Sequence, residues 1–158
     1  MTEVQIQQAV DAAQKARREF LADDPAVGTA IFRMCAKYNV EVNYGIHGES
    51  PRKDGDKYIL KFARHARFES NYCRIVHEIG HIILGHGIET MRQPVSDDIS
   101  DEDIQANIFA ANLLMPKDEF RKVCKEHQNN VCCVAAIFGV TKAAAGVRMA
   151  ILGIGEEP

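Results

Sequence analysis

Asn71-Tyr72-Cys73-Arg74-Ile75-Val76-His77-Glu78-Ile79-Gly80-His81-Ile82-Ile83-Leu84-Gly85-His86 is the stretch that decides how the rest of the 158-residue chain is read. It holds His77-Glu78-x-x-His81 inside a helical pattern of apolar residues. Histidines four apart lie about 40° apart around a helix, so both imidazoles leave one face and can grip one metal ion. Glu78 stands beside them, placed to take a proton from water rather than to bind the metal. Ile75, Ile79 and Ile82 gather within roughly 60° of one another on the opposite side. One face of the helix is therefore expected to pack into a core while the other looks into a cleft.

A catalytic zinc site takes three protein ligands and keeps one position open. A carboxylate on a second helix is the natural complement, and Asp103 is the candidate. Ser100 is predicted to cap a helix running from Asp101 to about Met115, which Pro116 closes. The face that carries Asp103 also carries Ala106, Asn107 and Ala110, small residues that let one helix approach another. Asp103 has a second reading, because Ser100-x-x-Asp103 resembles a capping box in which the carboxylate bonds a backbone N–H. Asn107, one turn on, is placed either to accept from the second N–H of a metal-binding imidazole or simply to pack with no such role. His86 follows His81 by five residues where the three-histidine pattern requires six, and helical continuation points it away from His77. His47, His65 and His127 lack a spaced partner and read as surface histidines. Tyr44, Tyr58, Tyr72 and His65 remain as groups able to polarise a carbonyl.

The flanking sequence frames this pair of helices. Residues 4–22 form a loosely amphipathic helix stopped by Asp23-Asp24-Pro25, and a second helix runs from Pro25 to about Tyr38 with Ile31, Met34, Cys35 and Tyr38 on one side. Val40-Glu41-Val42-Asn43-Tyr44-Gly45-Ile46 and Lys57-Tyr58-Ile59-Leu60-Lys61-Phe62 alternate like strands, with the turn-rich Ser50-Pro51-Arg52-Lys53-Asp54-Gly55 between them. They predict a short antiparallel sheet whose second strand offers a free edge, beside the metal, to an extended peptide. Ser70 is the expected N-cap of the histidine helix. Residues 87–99, with Pro, Gly and acids but no periodicity, read as a loop. Residues 131–152 read as helix, turn at Gly139, helix. Their few basic residues make too small a phosphate footprint for nucleic acid, so a packing or protein-partner role is expected.

Bulk properties narrow the class. The hydrophobic fraction of 46%, the charged fraction of 26% and the net charge of -3 are those of an ordinary globular chain with no electrostatic case for nucleic acid. A single domain over residues 1–158 is expected, built from an N-terminal helix (1–25), a core (26–128) and a helical tail (129–158). No leader pattern opens the sequence and no apolar run reaches membrane-spanning length, so a cytoplasmic protein with no membrane partner is expected. The five cysteines, Cys35, Cys73, Cys124, Cys132 and Cys133, lack C-x-x-C spacing and read as reduced, mostly buried small hydrophobes.

The two helices together resemble a known family. His77-Glu78-Ile79-Gly80-His81 followed by Asp103-x-x-Ala106-Asn107-x-Phe109-Ala110-Ala111-x-Leu113-Leu114-Met115-Pro116 is similar to the ImmA/IrrE-like metallopeptidases, whose pattern joins H-E-x-G-H to E-x-x-A-N-x-F-A-A-x-L-L-M-P. The likeness extends to Ile137-Phe138-Gly139-Val140-Thr141 and Arg148-Met149-Ala150-Ile151-Leu152-Gly153, and covers roughly residues 26–154. It implies an α+β fold: a mostly helical, zincin-like metallopeptidase domain with a small antiparallel sheet and a C-terminal helix-turn-helix-like pair. It also implies zinc held by His77, His81 and Asp103, with Glu78 as the catalytic acid/base. The implied substrate is a regulatory protein, such as a mobile-element or stress-response repressor encoded nearby, cut at a specific site. The departure is Asp103, where the family usually has Glu. Being one methylene shorter, it requires its helix to lie about 1 Å or more closer to the metal. The alternative is a non-catalytic metal-sensing or partner-binding module on the same scaffold.

Overall fold

The computed structural model describes residues 1–22, 26–64, 68–91 and 99–155, and of residues 68–70 the backbone alone. Among the described residues there are eight helices and one three-stranded sheet. The first helix, α1 (Glu3–Phe20), is set by a capping box between Thr2 and Gln5 and buries Ala9, Ala13, Ala16 and Phe20. This helix packs closely against the one that carries Asp103. The second helix, α2 (Val27–Lys37), starts after Ala26 and buries Ala30, Ile31 and Met34. The Asp23-Asp24-Pro25 stop signal lies outside the described residues.

The sheet departs from expectation in its pairing. Strands β1 (Val40–Gly45), β2 (Glu49–Asp54) and β3 (Lys57–Ala63) are ordered β1-β3-β2, with β3 parallel to β1 and antiparallel to β2. The sheet is thus mixed, and the stretch predicted to be turn is itself a strand. Only Gly55-Asp56 turns the chain, with Gly55 at φ +56, a conformation that a residue with a Cβ adopts at a cost. Composition explains the order. The apolar strand β3 buries Leu60 and Phe62 and takes the centre, while the polar β2, which contains Pro51, takes an edge where a missing N–H is tolerated. The expectation of a free edge on the strand bearing Tyr58, Leu60 and Phe62 is therefore overturned, because β3 is paired on both sides.

The histidine helix α3 (Phe68–Leu84) begins two residues before Ser70, which lies inside it rather than at its cap. The short α4 (Ile88–Met91) occupies part of the stretch read as loop, and residues 92–98 of that reading lie outside the described residues. Helix α5 (Asp101–Leu114) is capped by Ser100 as predicted. Pro116 then opens α6 (Lys117–Glu126) as its N-cap. The tail is α7 (Val131–Phe138), a left-handed turn at Gly139 with φ 64, and α8 (Lys142–Ile151). Of the two basic residues in α8, Arg148 is buried, donating from Nε to the Met115 carbonyl at 3.1 Å and from Nη2 to Asn112 Oδ1 at 2.9 Å. Lys142 alone faces solvent.

One cluster of buried apolar residues runs from Ala13 in α1 through Leu60, Ile79 and Phe109 to Met149 in α8. No single described helix is long and apolar enough to cross a membrane. Of the cysteines only Cys124 is buried. Cys35 and Cys73 are half-buried, while Cys132 and Cys133 are exposed in the first turn of α7, so the cysteines are less buried than expected.

Candidate metal centre

Ile75 and Ile79 lie in the core as the periodicity requires, but the opposite face of α3 is no open cleft. Helix α5 crosses it, leaving His81 fully buried and His77 22% exposed. Gly80 makes the close approach possible. A Cβ there would stand 2.9 Å from Phe109 Cδ1 and 3.3 Å from the Ala106 carbonyl oxygen, so any other residue would have to displace the Phe109 ring or the helix that carries it. Asp103 rides on the helix held at this close approach.

The result is a convergence of three side chains. His77, His81 and Asp103 form a group whose ligand atoms lie close enough to hold one metal ion. His77 Nε2 and His81 Nε2 are 3.1 Å apart, and Asp103 Oδ1 is 3.7 Å from the first and 3.4 Å from the second. Four-coordinate zinc with bonds of 2.0–2.1 Å puts its donors about 3.3 Å apart, so the spacing suits a tetrahedral ion.

The hydrogen bonds test the fit independently. His77 Nδ1–H donates to Asn107 Oδ1 at 2.9 Å, which leaves Nε2 without a proton in the neutral ring. His81 Nδ1 lies 2.9 Å from His86 Nδ1, and His86 Nε2 lies 3.2 Å from Gln105 Oε1. The Gln105 oxygen can only accept, so His86 Nε2 carries the proton and its Nδ1 is bare. His81 Nδ1–H must then be the donor, and His81 Nε2 is bare as well. Two lone pairs facing each other at 3.1 Å beside a carboxylate oxygen form a hole shaped for a cation.

Asp103 reconciles its two readings. Ser100 Oγ accepts from the Asp103 backbone N–H at 3.1 Å and donates to Asp103 Oδ2 at 2.6 Å, so one carboxylate oxygen is anchored at the cap while the other faces the imidazoles. The carboxylate does not reach back to a backbone N–H as a full capping box would.

Electrostatics sort the remaining roles. Burial holds the His77 imidazole below its usual range. Burial, helped by the neighbouring His77 and His86, holds His81 down at about 4. Both rings are thus neutral at pH 7 and free of competing protons. Burial pushes the Glu78 carboxyl up to about 7, with Arg74 opposing and Asp103 adding to the shift. Glu78 Oε2 is buried with no hydrogen-bond partner among the described residues.

A family model described as Peptidase_M78, the IrrE N-terminal-like domain, matches residues 38–150. The chain belongs to this family. The IrrE N-terminal-like match contains both the histidine helix and α5, and it makes the scaffold that of a metallopeptidase. No curated protein matches the chain.

Other expected residues fall elsewhere. His47 and His127 are exposed and outside the group, and His65 lies outside the described residues. Tyr44 and Tyr72 line a cavity of about 430 Å³ between α2, β1 and α3, and Tyr58 lies under Lys53 Nζ at 4.9 Å. Sequence reasoning missed where His86 goes. The helix does not continue through it: Gly85, at φ +77, ends α3, with His86 N–H bonded to the His81 carbonyl at 2.9 Å and Gly85 N–H to that of Ile82 at 3.2 Å. That is a Schellman turn, which folds the residue after the glycine back over the last helical turn. The Gly85-His86 pair after an apolar run was the available signal.

Proposed function

We propose that this chain is a zinc-dependent endopeptidase of the cytoplasm that cuts a regulatory protein at a specific site. One observation carries the reading: two deprotonated imidazole nitrogens and one carboxylate oxygen meet at tetrahedral spacing beside a half-buried carboxyl poised near neutrality. When bound, zinc supplies the Lewis acidity that makes water a nucleophile near pH 7 and polarises the scissile carbonyl. A pair of histidines with one carboxylate is a donor set that catalytic zinc sites use.

The chain's own side chains do the rest. Glu78, raised to about 7, exchanges a proton readily at neutral pH, taking one from the attacking water and returning it to the leaving amine. Asn107 orients His77 through Nδ1, and Ser100 holds Asp103 so that a single oxygen faces the centre. The substrate class follows from the family resemblance: a mobile-element or stress-response repressor encoded nearby.

The test is single-turnover cleavage of regulatory proteins encoded beside this chain, comparing wild type, Glu78→Gln and chelator-stripped protein. Cleavage by wild type alone is expected. Equal cleavage by Glu78→Gln would refute the mechanism, whereas metal-dependent capture of a partner with no cleavage by any form would establish the metal-sensing module instead.

A further inference from the structure

The far side of His81 is occupied by a hydrogen-bonded chain whose other members neither hold the metal nor take part in the proposed proton transfer. Gln105 Nε2 donates to the Gln5 carbonyl oxygen of α1 at 3.0 Å, which fixes the amide so that its oxygen turns toward His86. Gln105 Oε1 accepts from His86 Nε2–H at 3.2 Å, and His86 Nδ1 accepts from His81 Nδ1–H at 2.9 Å. Every member has its direction dictated by the one before it. The chain begins at a backbone carbonyl, which cannot donate, and ends by leaving His81 Nε2 bare toward Asp103 and His77. Gln105 is buried, His81 fully so and His86 half-buried, hence water has limited access to either link.

We propose that His86 and Gln105 are positioning residues for the metal, holding His81 in the Nδ1–H tautomer and locking its ring, with α1 as the anchor. The proposal rests on the zinc reading of His77, His81 and Asp103. A metal-binding imidazole whose other N–H is held by a fixed acceptor keeps its orientation and gains basicity, and loss of such an acceptor typically weakens binding 10–100-fold. Usually that acceptor is a carboxylate or carbonyl oxygen. Here a second imidazole takes the place, and it can accept only because Gln105 claims its proton on the other nitrogen. The family match begins at residue 38, so the anchor on α1 lies outside the matched segment.

The experiment measures zinc affinity by chelator competition, and the His81 tautomer by imidazole ¹⁵N spectra of the metal-free protein, in wild type, His86→Leu, His86→Gln and Gln105→Leu. Leucine at 86 has no acceptor and should cost about 10–100-fold in affinity. In the metal-free spectra it should move the His81 proton from Nδ1 toward Nε2. Glutamine at 86 can accept from His81 and donate to Gln105, so it should recover most of the affinity and the wild-type tautomer. Gln105→Leu frees His86 to carry its proton on Nδ1, facing another donor, and should weaken binding in the same direction. If His86→Leu does not fold, the Gln105→Leu and His86→Gln pair decides. Zinc affinity within twofold of wild type in His86→Leu and Gln105→Leu, with the His81 tautomer unchanged, would overturn the positioning role while leaving the zinc site intact. Wild-type protein that binds no zinc would overturn the site and this inference together.

Discussion

Glu78 shows a conflict at the scale of one residue between folding and chemistry. Its pKa in the fold is raised from 4.5 to about 7 by burial, so its contribution to stability is fully present below about 4.5 and is lost as pH rises through 7. In the metal-free protein at pH 8 this carboxylate is a cost of the order of 2 kcal/mol. Glu78→Gln, which stays neutral, is therefore expected to melt higher than wild type at pH 8 without metal, and to converge with it near pH 4.5. Zinc content should be unchanged while single-turnover cleavage falls by about 10²–10⁴, the range for a general acid/base. Equal melting temperatures at pH 8 would show that the carboxylate is better solvated than its burial implies. Asp103 makes the complementary case. Asp103→Ala removes both the ligand oxygen and the acceptor for Ser100, so zinc affinity by chelator competition should drop sharply, and His81→Ala should abolish it. Asp103→Glu should retain metal. Undiminished affinity in Asp103→Ala would assign the carboxylate to the helix cap alone.

Between elements, the separation of α3 and α5 sets the metal geometry. Gly80 faces the Ala106 carbonyl oxygen and the Phe109 ring, and neither Ala106 nor Phe109 has any exposure to spare. Gly80→Ala must displace one helix or the ring, and overpacking of this kind costs about 1–3 kcal/mol. The expected result is a lower denaturation midpoint and weaker zinc binding in the same variant, since Asp103 rides on α5. A loss of stability with undiminished affinity would mean that the Phe109 ring yields rather than the helix. Gly85→Ala tests the other end of α3. At φ +77 an alanine is strained by about 1–2 kcal/mol, and the turn that folds His86 back over His81 is weakened.

At the level of the whole molecule, the core does not depend on the metal. The buried apolar cluster extends from α1 to α8 and includes side chains from every described helix and from β3, so the chain has the means to stay folded without an ion. Chelation should therefore lower the melting temperature without erasing the helical circular dichroism, unlike domains whose fold is created by zinc. Restoring zinc at about 100 times its dissociation constant should return about 2.7 kcal/mol. Loss of the helical signal on chelation would instead make the ion structural.

The chain carries its local determinants in plain form. The spacing of His77, Glu78 and His81, the Ser100 cap, the small residues on α5 and the break at Gly139 are short-range patterns, and helical periodicity alone turns each into a position in space. The roles that depended on partners far along the chain were decided only by the tertiary structure. Strand β3 became central because the polar, proline-containing β2 suits an edge, a competition between strands that no single strand reveals. His86 stands at the back of His81, where helical continuation would not have put it, because Gly85 reverses the chain, and its proton was placed by Gln105 and, through it, by Gln5 one hundred residues earlier. Asp103 served the cap and the metal at once because its two oxygens face different neighbours, a choice made by the approach of α5 to Gly80. Hydrogen-bond direction and helix separation are properties of assembled neighbours, and for that reason they were legible only in the fold.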